Sequence, residues 1–217
     1  MLENLETILK NINDNKTAQE VTVVCATKTR SAEIINSLPS YSLNIAGENK
    51  VQELLEKYDA VDKSIEWRII GQLQTNKVKY IIDKVSMIES LDRVSLADEI
   101  DKQAKKHNKK MKVLVEVNAG EEESKGGVKL SELEELLSYV KGKENLILCG
   151  IMSVFPIGAD ESLYAKVKQA YDSYKDKYAL SVLSMGMSND YITAVKHGAT
   201  EVRLGSALFG ERDYSKR

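Results

Sequence analysis

Short apolar runs rich in β-branched residues alternate along this chain with longer stretches whose apolar residues recur every three or four positions. The short runs are VTVVCAT (21–27), YSLNIA (41–46), IEWRIIG (65–71), VSMIESL (85–91), KVLVEVN (112–118), LILCGIMSV (146–154), LSVLSM (180–185) and TEVRLG (200–205). Most are short and rich in β-branched residues, as expected of strands covered on both faces. The longer stretches read as amphipathic helices. The N-terminal MLENLETILKNI places Leu2, Leu5, Ile8, Leu9 and Ile12 on one face, and Val51, Leu54, Leu55 and Tyr58 form a second stripe. Leu130, Leu133, Leu136, Leu137 and Val140 form a third, and Ser131 followed by Glu134 reads as a capping box at its start. Over 160–178 the residues Leu163, Val167, Ala170, Tyr171, Tyr174 and Tyr178 share a face, so the tyrosines are expected to cover a sheet. Eight strands alternating with eight helices, after one extra N-terminal helix, predict an α/β fold: a (β/α)8 TIM barrel forming a single domain over 1–217. An open doubly wound sheet is the alternative.

Composition narrows the class. A length of 217 residues suits one such barrel, and 42% hydrophobic residues with only two prolines supply a core without favouring disorder. The net charge of −2, with basic residues scattered along the chain, argues against a nucleic-acid surface. The N-terminus carries acids early, unlike a signal peptide, and no apolar run approaches a membrane span. Cys25 and Cys149 lie far apart in strand-like runs and read as reduced, buried thiols. A cytoplasmic protein with no nucleic-acid or membrane partner is expected, and with no coiled-coil seam a monomer.

In a barrel of this kind, chemistry sits at the carboxyl ends of the strands. Lys28 closes the first strand, where a lysine amine in apolar surroundings forms a Schiff base with an aldehyde; the alternative is a solvated loop charge. In SMGMSNDY (184–191), Gly186 allows a tight turn and Ser188 is placed to cap a helix starting near Asn189, either as a phosphate site or as a plain cap. In VRLGSALFG (202–210), Gly205 and Ser206 follow the last strand and open a short helix, the recurring phosphate position of such barrels. Arg203, inside that strand, requires an acceptor: a ring nitrogen, a carboxylate in the mouth, or an acid in a barrel layer. Nucleotide-loop and metalloprotease signatures are missing, the histidines His107 and His197 sit in polar segments, and EEES (121–124) reads as a solvated loop, so no metal is expected. A lysine, a two-part anion cup and a strand arginine match the needs of pyridoxal 5'-phosphate (PLP); an aldolase using Lys28 on a phosphorylated sugar is the competing reading.

Longer motifs carry a resemblance across essentially the whole chain: ATKTR (26–30), GENKVQE (47–53), EWRIIGQLQTNK (66–77), VNAGEEESKGG (117–127), LSMGMSND (183–190) and EVRLGSALFGERDYSK (201–216). By these the chain resembles the pyridoxal phosphate homeostasis protein family (YggS-like, PROSC-like), single-domain relatives of the alanine racemase N-terminal barrel. The resemblance implies that Lys28 holds PLP as an internal aldimine and that Asn49 sits near the cofactor's phenolic oxygen. It also implies that Ser188, Gly205 and Ser206 hold the phosphate and that Arg203 faces the pyridine nitrogen. An arginine cannot accept the pyridinium proton, so strong carbanion chemistry is not expected. The chain departs from the family at Trp67–Arg68, where Trp-His is usual, and Arg68 is expected to pair with Glu48 or Glu89; Thr27 stands where serine is usual. The chain ends shortly after the last barrel motif, without the β-domain and tyrosine of an alanine racemase. The implied role is a non-enzymatic PLP carrier, with apo PLP-dependent enzymes as recipients; weak amino-acid racemisation is the alternative.

Overall fold

Each of the eight apolar runs contributes a strand to the computed structural model, which describes residues 4–17, 19–120 and 126–211. The strands are β1 (Thr22–Ala26), β2 (Ile45–Glu48), β3 (Glu66–Ile69), β4 (Met87–Leu91), β5 (Met111–Val117), β6 (Leu146–Ser153), β7 (Val182–Ser184) and β8 (Glu201–Leu204). All pair in parallel and in sequence order, and β8 returns to β1, so the sheet is a closed barrel and not the open alternative. Every residue of β4 and β8 is buried, because helices cover the outer face while side chains fill the interior.

The helices are α1 (Leu5–Asn15), α2 (Ala32–Asn36), α3 (Val51–Tyr58), α4 (Val94–Lys106), α5 (Leu133–Lys141), α6 (Glu161–Tyr178), α7 (Tyr191–Lys196) and α8 (Ser206–Phe209). The extra helix α1 buries Leu5, Ile8 and Ile12 and is tied to α7 where the Asn11 amide donates to the Tyr191 hydroxyl at 2.9 Å. Leu9, expected on the buried face, is exposed.

Four expectations are corrected. After β3 the chain makes only a 3-10 turn, Thr75–Tyr80, which still buries Val78, so one of the eight helices is missing. Ser131 does not cap α5: it lies within a 3-10 turn, Leu130–Glu132, whose backbone bond from Glu132 N–H to Lys129 C=O begins the winding without a side-chain cap. On α6 the fully buried tyrosines are Tyr164, Tyr171 and Tyr178, with Tyr164 replacing Leu163 on the inner stripe. Cys25 is buried, and its thiol is pushed up to about 12 by burial, but Cys149 is only partly buried; both are free thiols. The EEES segment lies outside the described residues.

Among the described residues no helix is long and apolar enough to cross a membrane, and no group of three His, Cys, Asp or Glu side chains could hold a metal ion.

Candidate functional site

A cavity of about 420 Å³ opens at the carboxyl ends of the strands. Five of the residues singled out in the sequence line it: Lys28 after β1, Ser188 before α7, Arg203 in β8, and Gly205 and Ser206 at the start of α8. The other wall is the β6–α6 loop and α6, where Phe155 packs against Tyr164 with ring centroids 4.0 Å apart. Asn49, the sixth candidate, lies at the end of β2 outside this lining, and its amide oxygen is buried with no hydrogen-bond partner.

The candidate anion cup is built from two segments. Gly186 has φ of +96°, and a Cβ there would lie 2.6 Å from that of Ala194, so only glycine makes this turn without strain. The turn is pinned by Asp190, whose carboxylate accepts from the Met187 N–H at 2.6 Å and from the Tyr164 hydroxyl at 2.7 Å. Ser188 does not cap α7, which starts at Tyr191; instead its Oγ accepts from the backbone N–H groups of Gly205 and Ala207, each at 3.1 Å. The turn aims the hydroxyl across the mouth at the orphan donors of α8, so the two segments meet at one oxygen.

Arg203 crosses the barrel interior below the cavity, where Nη1 donates to Ser184 Oγ at 2.7 Å and Nη2 to the Ser153 carbonyl at 2.8 Å. Ser184 Oγ in turn donates to Glu89 at 3.2 Å. Arg68 joins the same interior cluster, donating to Glu201 at 2.5 Å, Glu89 at 3.4 Å and Glu66 at 3.0 Å. Glu89 is therefore a partner of Arg68 as expected, whereas Glu48 is not: Glu48 pairs with Lys57 at 2.8 Å. Burial, reinforced by the like charge of Glu201, pushes the Glu89 carboxyl up to about 8. Burial and then Asp92 push Glu116 up to about 7.

Tyr164, Asp190 and Phe155 also line the cavity, with no recognisable signal in the sequence beyond aromatics and an acid in otherwise ordinary segments. Arrayed around one cavity are an amine, a guanidinium, two hydroxyls and main-chain amides. Such a set suits an aldehyde, a ring acceptor and a phosphate.

Residues 3–213 match the model of the alanine racemase N-terminal domain family. Among curated proteins, the chain is 46% identical to a pyridoxal phosphate homeostasis protein of Aquifex aeolicus, covering 87% of this chain and 86% of that protein. It is 33% identical to the protein of that description from Escherichia coli K12, covering 93% and 90%. Among solved structures, PipY of Synechococcus elongatus PCC7942 with PLP bound superposes with a TM-score of 0.83 at 26% identity, over 93% of this chain and 98% of that one. Alanine racemase of Clostridium difficile shares the fold, with a TM-score of 0.78 at 16% identity; the match covers 97% of this chain and 60% of the racemase.

Proposed function

Because this chain belongs to the alanine racemase N-terminal domain family and, within it, to the pyridoxal phosphate homeostasis proteins, we infer that it is a PLP-binding protein that holds the cofactor rather than catalysing turnover. The seat we propose is the cavity at the barrel mouth. The observation that supports it is convergence: Lys28, Ser188, Arg203, Gly205 and Ser206, drawn from three separate segments, line one 420 Å³ space, within the size range of small-molecule sites.

When bound, PLP supplies an aldehyde that condenses with a lysine amine and a pyridine ring that draws electrons from the attached carbon. Lys28 is the amine at the mouth. Ser188, Ser206 and the amides beginning α8 form the phosphate cup; the amides of Gly205 and Ala207 already converge on one oxygen, the acceptor geometry a phosphate reproduces. Arg203 is proposed for the ring nitrogen. Two of its donors are held by Ser184 and Ser153, which fixes the guanidinium plane, and as a permanent donor it keeps that nitrogen unprotonated. Asn49 follows β2, the strand paired with β1, and we propose that its NH2 group serves the phenolic oxygen. The described residues build one barrel, which supports a single domain over 1–217. We propose apo PLP-dependent enzymes as recipients, because the cavity opens at the barrel end beside the exposed Ile157 and Met187, leaving its contents within reach of an acceptor.

The test is the absorbance spectrum of purified protein titrated with PLP, followed by borohydride reduction and peptide mapping. A visible band and a reduced adduct on Lys28, both lost in Lys28→Ala, are expected. An adduct on another lysine would overturn the assignment of this seat, and sustained, Lys28-dependent racemisation of L-alanine would overturn the reading of holding without turnover.

A further inference from the structure

The chain leaves β1 through Thr27, Lys28 and Thr29, and the last of them takes a backbone conformation that its residue type disfavours. Thr29 has φ of +66°, in the left-handed region, where a β-branched residue is an outlier. Such a conformation is strained and persists only where surrounding contacts impose it. The contacts are present and come from α3. Lys57 Nζ donates to the Thr27 carbonyl at 2.9 Å, to Glu48 Oε1 at 2.8 Å and to Glu53 Oε1 at 2.7 Å, which uses all three of its donors. Glu53 Oε1 also accepts the N–H of Thr29, and Glu48 Oε1 accepts the Thr27 hydroxyl at 2.8 Å.

The carbonyl just before Lys28 and the amide just after it are thus both gripped by one ion-paired triad. The triad is shielded: the Glu48 side chain is fully buried and that of Lys57 is 12% exposed, so its charge-assisted bonds lie largely out of competition with water. Glu53 feels burial, which raises its carboxyl, but the Lys57 and Thr29 hydrogen bonds win and hold it below the usual carboxylate range. None of the three acts as a cavity wall. Their reach ends on the backbone that carries Lys28.

We propose that Lys57 and Glu53 are positioning residues for Lys28: they lock the strained turn that fixes the direction in which this side chain leaves β1, and so set how well its amine meets an aldehyde seated in the cavity. The inference rests on the Lys28 reading of the site and adds to it a source of preorganisation, since small misplacements of a reacting group are expensive in covalent chemistry and cheap in simple binding.

That difference supplies the test. Affinity is measured for PLP and for pyridoxine 5'-phosphate, which has the same ring and phosphate but an alcohol in place of the aldehyde, on wild type, Lys57→Met, Glu53→Ala and Lys28→Ala. Lys57→Met is expected to weaken PLP binding by about tenfold to a hundredfold and to slow growth of the visible band, while pyridoxine 5'-phosphate binding stays within about twofold of wild type. Glu53→Ala, at a side chain that is 21% exposed, is expected to act in the same direction and carries the test if Lys57→Met does not fold. Equal losses for both ligands would make the triad merely structural and overturn the proposal, as would unchanged PLP binding in the variants. If Lys28→Ala keeps the visible band, the Lys28 reading fails and the positioning role with it; if Lys28→Ala loses the band while the triad variants behave as wild type, the positioning role alone fails.

Discussion

The hydroxyl of Ser188 accepts from two amides 17 and 19 residues further along the chain, so one side chain satisfies the start of α8 at the proposed phosphate position. Removing it leaves two partly buried donors without an acceptor, at about 1–2 kcal/mol in total. For a chain of this size that is a fall in Tm of roughly 3–6 °C for the Ser188→Ala protein without PLP, measurable by thermal denaturation. Combined with Ser206→Ala, it should weaken PLP and pyridoxine 5'-phosphate alike, by about tenfold or more per hydroxyl, because both ligands carry the phosphate. Equal affinity in the double variant would place the phosphate elsewhere. This pattern is the opposite of that expected for Lys57→Met, so residues that grip the phosphate and residues that aim the amine are separable by the same pair of ligands. Of these, the sequence displays Ser188 and Lys28 by position at strand ends. It hides Lys57, because a lysine in the last turn of an amphipathic helix looks like a solvated charge until the fold brings it to a carbonyl 30 residues away.

At the scale of elements, the strands were readable because β-branched runs bounded by polar residues have few other uses, and every run located a strand. Boundaries moved where local chemistry won: YSLNIA begins on the last residue of a 3-10 turn, Leu38–Tyr41, and β2 begins only at Ile45, because Pro39 and a left-handed Ser42 close that turn first. The predicted cap at Ser131 and the helix after β3 failed for a related reason, since 3-10 bonds replaced the expected helical starts. Close approach of two strands leaves no periodic signal at all. Gly150 in β6 shows this: a Cβ there would stand 1.8 Å from the Val182 carbonyl oxygen of β7. Backbone cannot yield as a flexible side chain does, so Gly150→Ala should part β6 from β7 and cost at least about 3 kcal/mol, at the upper end of overpacking effects. Because β7 carries Ser184 and leads into the Gly186 turn, the anion cup should deteriorate with it. A Gly150→Ala protein with wild-type Tm would show that the two strands have slack, contrary to this packing.

Across the whole molecule, the barrel interior beneath the mouth holds a cluster of buried ionisable side chains in place of a fully apolar core. Arg68 and Arg203 sit among Glu89, Glu201 and Glu116 with almost no water to share the charge, and Arg68 is driven further above its ordinary value by its carboxylate neighbours despite burial. Part of this is legible in the sequence, since Glu201 and Arg203 alternate with apolar residues in β8 and both are buried. Which acid meets which arginine depends on registers the sequence does not contain. The consequence is a pH dependence with a defined sign. Glu89 at about 8 and Glu116 at about 7 hold protons in the folded state that an unfolded glutamate, near about 4.3, has already released. Between those values the folded protein binds more protons than the unfolded one, so this contribution to stability is complete below about pH 4.3 and is lost as pH rises through 7 and 8. Carboxyls held low, such as Glu53 and Glu66, act in the other direction and lose their contribution as pH falls below the usual carboxylate range. The protein without PLP should therefore be most stable near about pH 5 and lose at least about 3 °C of Tm by about pH 8.5, given roughly 2–4 °C per kcal/mol in a chain this size. Glu89→Gln, which keeps an acceptor for Ser184 and removes the titrating proton, should flatten that slope. A Tm that rises from pH 5 to 8.5, or an unchanged slope in Glu89→Gln, would show that the interior acids are already ionised and that the two arginines outweigh burial.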